Sequence, residues 1–302
     1  MALALTQNFP NDTTTRGIHM TVYQAWTQRE PIGRSQIFNV YDSSQYREHA
    51  LTFGGLGTFD TKAEGEAVNY DAPNEGFLTT FTHTNRAKGI RISEEQWSDD
   101  LYDIMNDSPA ELGRMAYATE ETTLANHFNN GFDSGYTGGD GVELFSSAHV
   151  RENGETYKNE LTNPANLSVA SLEQMLIDFR NQRDGGGKRL QIQPRVLLVP
   201  PDLQWTASKL LGSSQDPESE LNAINPLNDL GLKLVVWDYL TDTNAWGILA
   251  AKENHKLSVY DRKAFTTADI FDFDTGDIKF KGWYRQSSVW ADPRGVFFSE
   301  GA

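Results

Sequence analysis

The chain has 302 residues, 38% of them hydrophobic, which is enough for one large domain or two with an ordinary core. Its 26 Lys and Arg stand against 42 Asp and Glu, and the net charge of −16 excludes neutralisation of nucleic-acid phosphates by bulk charge. With no cysteine there are no disulfides, thiolate metal sites or cysteine nucleophile. The start, MALAL, is a five-residue apolar stretch without a basic flank, and no later window approaches a membrane span, so a soluble protein made without export is expected.

Residues 1–49 hold short apolar pieces, IHMTVYQAW and RSQIFNVY, with no sustained period, and read as an extended arm. Four basic residues (Arg16, Arg29, Arg34, Arg47) cancel four acidic ones (Asp12, Glu30, Asp42, Glu48), so the arm is not a basic nucleic-acid arm. Residues 50–90 shift to Gly, Thr and acids. Their flanks alternate, with Phe77, Thr79 and Phe81 on one side and Leu78, Thr80 and Thr82 on the other, as in a two-stranded hairpin. Its middle, 60–76, offers too little apolar area to hold itself in place, so it is either a surface insertion or a hairpin that lies on something else.

Ser93 with Gln96 forms a capping box that predicts a helix through Trp97, Leu101, Ile104 and Met105. Ser108, Pro109 and Glu111 form a second start signal, for a helix of about 22 residues and roughly 33 Å that ends at Gly131. From Arg91 to Gly131, Arg91 and Arg114 face nine acids: Glu94, Glu95, Asp99, Asp100, Asp103, Asp107, Glu111, Glu120 and Glu121. A solvated helix face accounts for such a run, with acids favoured near helix N-termini.

A helix capped by Ser168 or Ser171 follows, with Leu172, Met175, Leu176 and Phe179 on its apolar face. In QIQPRVLLVPPDLQWTASKLL, residues 191–211, an apolar strand stops at Pro200 and Pro201, which lack a backbone N–H. A helix then packs through Leu203, Ala207, Leu210 and Leu211. Further strands at 234–237 and 246–250 alternate with these helices, as in a mixed α/β unit. After residue 271 one long alternating strand faces Ile278, Phe280 and Tyr284 one way and Lys279, Lys281, Trp283 and Arg285 the other, after a turn at 274–277.

Candidate chemistry fails on spacing. GGGKR at 185–189 follows a helix, precedes a strand and lacks the pattern of a phosphate loop. DFDTGD at 272–277 starts like a calcium loop but puts Asp277 where the invariant glycine belongs. The six histidines, His19, His49, His83, His127, His149 and His255, form no i, i+4 pair, and no nucleophile elbow surrounds Ser146, Ser147 and His149. No catalytic, cofactor-binding or metal residues are therefore assigned.

The Val-Pro-Pro strand end and the helix after it, together with LFSSAHV at 144–150, LSVASLEQML at 167–176 and LKLVVWDYL at 232–240, resemble in their order the major capsid proteins of tailed bacteriophages, nearest the Mu-type major head subunits. The resemblance covers most of the chain from about residue 90. It implies an α+β chain with the Hong Kong 97-type fold: an N-terminal arm (1–49), an extended loop (50–90), a peripheral domain with a long spine helix (91–164), an axial α/β domain (165–270) and a return to the peripheral domain (271–302).

The same resemblance implies a non-enzymatic major capsid protein whose copies form hexamers and pentamers of an icosahedral shell around phage DNA. Such a protein resides in the virion and is assembled in the host cytoplasm. The implied partners are a separate scaffolding protein, a portal and a decoration protein, with DNA as non-specific contents and no membrane. Lys62, Glu64, Glu66, Tyr70 and Asp71 would make inter-subunit loop contacts. Glu94, Glu95, Asp99, Asp100 and Asp103 would form an acidic inner-face helix that repels packed DNA. His149 would serve local packing. A cellular compartment shell of the same fold, a tail or decoration protein, and more distantly an oligomeric α/β hydrolase or metal enzyme are the competing readings.

Overall fold

The computed structural model describes residues 12–56, 58–70, 75–99, 104–215 and 224–302. Two four-stranded sheets organise it. The long sheet has the order β1-β10-β11-β4, from β1 (Asn39–Asp42), β10 (Leu257–Phe271), β11 (Ile278–Trp290) and β4 (Thr84–Ile92). The second sheet has the order β12-β9-β7-β8, from β12 (Val296–Ser299), β9 (Trp246–Ala250), β7 (Pro194–Val199) and β8 (Lys233–Val236). β2 (Arg47–Phe53) and β3 (Glu75–Thr82) form a separate hairpin, and β5 (His149–Val150) pairs with β6 (Thr156–Tyr157).

Helix α3, Ile104–Asn129, ties the two sheets together. Its buried Leu124, Ala125 and Phe128 share a core with Leu198, Val235, Leu249 and Phe298 of the second sheet, Leu257, Val259 and Trp290 of the long sheet, and Phe145 and Trp237 from connecting segments. The opposite face of the second sheet presents Leu197, Val199, Trp246, Ile248 and Phe297 to α4 (Val169–Arg180) and α5 (Gln204–Gly212). Leu198 and its neighbours in β7 thus divide between two cores with the two-residue period of a strand. Ser168 caps α4 in a box with Ser171, and the residues buried on that helix include Leu172, Met175, Leu176 and Phe179, as the sequence predicts.

The predicted alternation of β11 is present: Ile278, Phe280 and Tyr284 are buried, while Lys281 is exposed and Lys279, Trp283 and Arg285 are half-buried. Four features differ from the sequence reading. The arm is not wholly extended, because α1 occupies Asp12–Thr27 and buries Ile18 and Val22 against Leu112, Ile278 and Phe280. A Cβ on Gly113 of α3 would strike the Val22 carbonyl and meet the Ala25 Cβ, so this glycine lets the two helices lie close. Helix α3 begins at Ile104 and carries Pro109 inside it, so Ser108 is not its cap, and the Ser93 box opens only the short α2, Glu94–Ser98. Finally, β10 joins the long sheet and β12 returns to the second, so the chain crosses between sheets more often than a divide at residue 271 implies.

Candidate functional site

The hairpin is anchored at its base. Phe81 is buried and stacks on Tyr260 of β10, which also stacks on Tyr41. The Thr52 hydroxyl accepts a hydrogen bond from the Phe77 N–H at 2.7 Å, close to the last paired residues, Phe53 and Glu75. Phe77, Thr79 and Phe81 turn inward as the alternation predicts. Residues 58–70 lie beyond, without helix or strand, and all are exposed.

Lys62, Glu64, Glu66 and Tyr70 therefore stand on an exposed tip, beside Phe59 and Val68, and Asp71 lies outside the described residues. Phe59 is fully exposed and Tyr70 is 90% exposed. Among the described residues the tip's hydrogen bonds are internal: the Glu66 carboxylate accepts from the Ala63 N–H at 3.0 Å, the Glu66 N–H donates to the Ala63 carbonyl at 3.2 Å, and Asp60 accepts from the Asn69 amide at 3.0 Å.

The acidic run divides into two groups that the sequence reading joined. Glu94, Glu95 and Asp99 are exposed, but they belong to α2 and its C-cap rather than to the long helix, and Asp100 and Asp103 lie outside the described residues. Glu120 and Glu121, in contrast, are 1% and 0% exposed, so the reading of a wholly solvated face fails for them.

These two carboxylates hold a knot that sequence reasoning missed. Arg34 lies in a single π-helical turn, Gly33–Ile37, that leads from the arm into β1. It donates to Glu120 at 2.6 Å and also pairs with Asp261 of β10. Glu121 accepts from the Trp237 indole N–H at 2.7 Å and from the Gly33 N–H at 3.1 Å. A side chain on Gly33 would collide with Leu124 and Glu121. Burial works against the Arg34 charge, but Glu120 and Asp261 outweigh it and raise the guanidinium pKa. Burial likewise pushes the Glu120 and Glu121 carboxyls above their usual range, opposed by Arg34 for Glu120 and by the Trp237 and Gly33 hydrogen bonds for Glu121. A signal did exist, since Glu121, Leu124, Ala125 and Phe128 share one helical face.

The stretches weighed as chemical sites have structural roles. In the 272–277 turn, Asp272 pairs with Lys279 at 2.6 Å, and Asp277 pairs with Arg91 while accepting from the Thr275 hydroxyl at 2.7 Å. Residues 184–188 form a turn closed by the Asp184 N–H on the Lys188 carbonyl at 2.7 Å. His149 is buried, bonded to Asp140 at 2.6 Å and stacked on Tyr157, in keeping with a packing role. A cleft of about 400 Å³ between α3 and the long sheet is lined by Arg29, Glu30, Arg34, Glu120, Asp261 and Lys263, of which Arg34, Glu120 and Asp261 pair with one another. Among the described residues no group of three His, Cys, Asp or Glu is placed to hold a metal ion.

Comparison with known proteins identifies what presents this loop. The fold is similar to the bacteriophage JBD30 capsid chain, at 15% identity with a TM-score of 0.57 over 79% of this chain and 97% of that one. It is similar also to the capsid of an empty GTA particle, at 14% identity with a TM-score of 0.58 over 91% of each. Both support an α+β chain of the Hong Kong 97-like capsid fold. In sequence, 74 residues are 36% identical to the Mu-like prophage FluMu major head subunit of Haemophilus influenzae, and the match spans 24% of the length of that curated relative. A profile described as phage capsid protein matches residues 78–298, most of the chain, and the chain therefore belongs to the phage capsid protein family.

Proposed function

We propose that this chain is the major subunit of an icosahedral phage head, assembling through hexamers and pentamers into the shell that encloses DNA. The observation that carries this reading is the loop tip. Phe59, Val68 and Tyr70 project from an anchored hairpin and find no apolar cover among the described residues, as expected of a segment that is buried only between copies. Work by binding replaces catalysis, and many weak contacts repeated over a closed shell supply the stability. The subunit would reside in the virion after assembly in the host cytoplasm, with a separate scaffolding protein, a portal and a decoration protein as further partners.

The experiment is expression of the whole chain followed by negative-stain electron microscopy. Closed shells are expected from the intact sequence. Excision of residues 58–70 should leave a subunit with an unchanged circular dichroism spectrum that builds no shells. Normal shells from the excised chain would remove the loop from assembly.

Glu94, Glu95 and Asp99 are proposed to face the packaged DNA, where exposed carboxylates repel phosphate rather than grip it. Replacing them with Gln, Gln and Asn should leave shell formation intact and alter DNA retention. Unchanged packaging in intact shells would discard this inner-face role.

A further inference from the structure

Three buried polar groups line the cleft between α3 and the long sheet without a partner. The Glu120 carboxylate spends one oxygen on Arg34, and its second, Oε2, has no hydrogen-bond partner among the described residues. The Tyr284 hydroxyl and the Gln286 side-chain amide nitrogen are in the same position. Glu120, Tyr284 and Gln286 are 1%, 5% and 4% exposed, and all three line the cleft. Burial, and after it the charge of Glu120, pushes the Tyr284 hydroxyl up to about 12, so these two groups lie close together. A polar atom left unmet at such depth costs more than a hydrogen bond normally returns, and three around one space are best met by one group.

The charges around the space select the sign of that group. Inside, Arg34 faces two carboxylates, Glu120 and Asp261, which leaves one negative charge in excess. Behind Arg34, Lys252 and Glu121 offset each other, as do the exposed Arg29 and Glu30 at the rim. Lys263 holds its ammonium over the Trp283 ring at 4.0 Å, and Trp283 belongs to the face of β11 opposite Tyr284, so this cation lies outside the cleft. The walls suit an organic cation. Trp26 stacks on Phe265 at 4.8 Å between ring centroids and lies 6.0 Å from Tyr284. A second cleft, of about 340 Å³, shares Phe265 and Tyr284 but is lined by Arg86 and Lys88, which disfavour a further positive charge there and so a long polyamine.

We propose that the cleft beside Glu120 binds the ammonium group of a short aliphatic primary amine. An ammonium carries three donors and no acceptor. Glu120 Oε2 and the Tyr284 oxygen accept two of them, and the Gln286 amide, turned end over end, presents its oxygen to the third. The methylene chain lies against Trp26 and Phe265. Bound in this way, the amine ties α1 through Trp26 to α3 through Glu120 and to the long sheet through Tyr284 and Gln286. The site lies within one chain and is independent of shell assembly.

Isothermal titration calorimetry of the unassembled whole chain with butylamine and with 1,4-diaminobutane tests the site. One saturable site is expected for each amine. Tyr284→Phe removes only the hydroxyl and should weaken binding about tenfold in a chain with an unchanged circular dichroism spectrum. Glu120→Gln should abolish binding, whereas Glu111→Gln, which removes the same charge from an exposed position of α3, should leave it intact. Tetramethylammonium, a cation without N–H donors, should not bind. The proposal is overturned by the absence of a saturable site, by full affinity in Tyr284→Phe, by equal losses in the two glutamate variants or by binding of tetramethylammonium. If the free subunit ignores both amines and a lysine of a second copy fills the cleft in shells, the site is a contact between copies and the amine reading is equally overturned.

Discussion

Replacing Arg34 with Met should destabilise the unassembled subunit by about 3–5 kcal/mol, measured by urea unfolding at neutral pH. The side chain removed is 22% exposed, but the partners it abandons are the side chains of Glu120 at 1% and Asp261 at 14%. Both carboxylates would then sit in low dielectric without a counter-charge. The expected signature is in the pH dependence. Burial already raises the Glu120 pKa above its usual value and Arg34 opposes it, so the variant should raise it further. In the window between the unfolded value near 4.5 and the folded one, the native variant binds a proton that the unfolded chain does not. Its stability must therefore fall as pH rises through that window, and the penalty should shrink as pH is lowered toward 4.5. Adding Glu120→Gln should recover part of the loss. A penalty independent of pH and untouched by the second substitution would show that Arg34 acts through packing alone.

This knot also explains how an arm without a long apolar period is held. The π-helical turn is gripped by α3 through Glu120 and Glu121 and by β10 through Asp261, and Glu121 is held in turn by the Trp237 indole from the loop after the second sheet's β8. The Lys252 ammonium donates to the Arg34 carbonyl at 2.7 Å, and the Asn39 amide donates to the Lys252 carbonyl at 2.7 Å. A force applied to the arm in an assembly would thus reach both sheets through short polar contacts and the core behind them.

What the sequence made legible follows from how local each signal is. The α4 cap, the Pro200 and Pro201 stop and the inward row of β11 are set by residues a few positions apart, and all three are present. Helix α1 was not legible because its apolar face is short, and its burial comes from Leu112, Ile278 and Phe280, far away in sequence. Strand β10 escaped because two register shifts, between Asp261 and Lys263 and between Lys263 and Thr266, break its alternation. Glu120 and Glu121 were read as solvated because charged side chains are seldom buried unless paired, and their partners lie 86 to 116 residues away along the chain. The exposed tip was legible from composition alone.

Acidification from pH 7 toward 5 should cost the subunit stability through His255, and His255→Gln should remove about 2 kcal/mol of that cost. The imidazole is 2% exposed, and burial, with Lys252 and Lys256 nearby and Glu253 opposing, lowers its pKa to about 4. Between 4 and the unfolded value of 6.5 the unfolded chain binds a proton that the native state refuses, so stability falls as pH drops through this window. His127, bonded to the Ser288 hydroxyl at 2.8 Å and also lowered to about 4 by burial, acts in the same direction. Glu120 and Glu121 act in the opposite one, because their raised pKa values make acid favourable above about 4.5. The slope for the intact chain is therefore a difference, and only comparison with the variant isolates the histidine. Urea unfolding at pH 7.5 and pH 5, at subunit concentrations too low for shells, supplies it: parallel losses in the two proteins would mean that His255 is not the group that acid must charge.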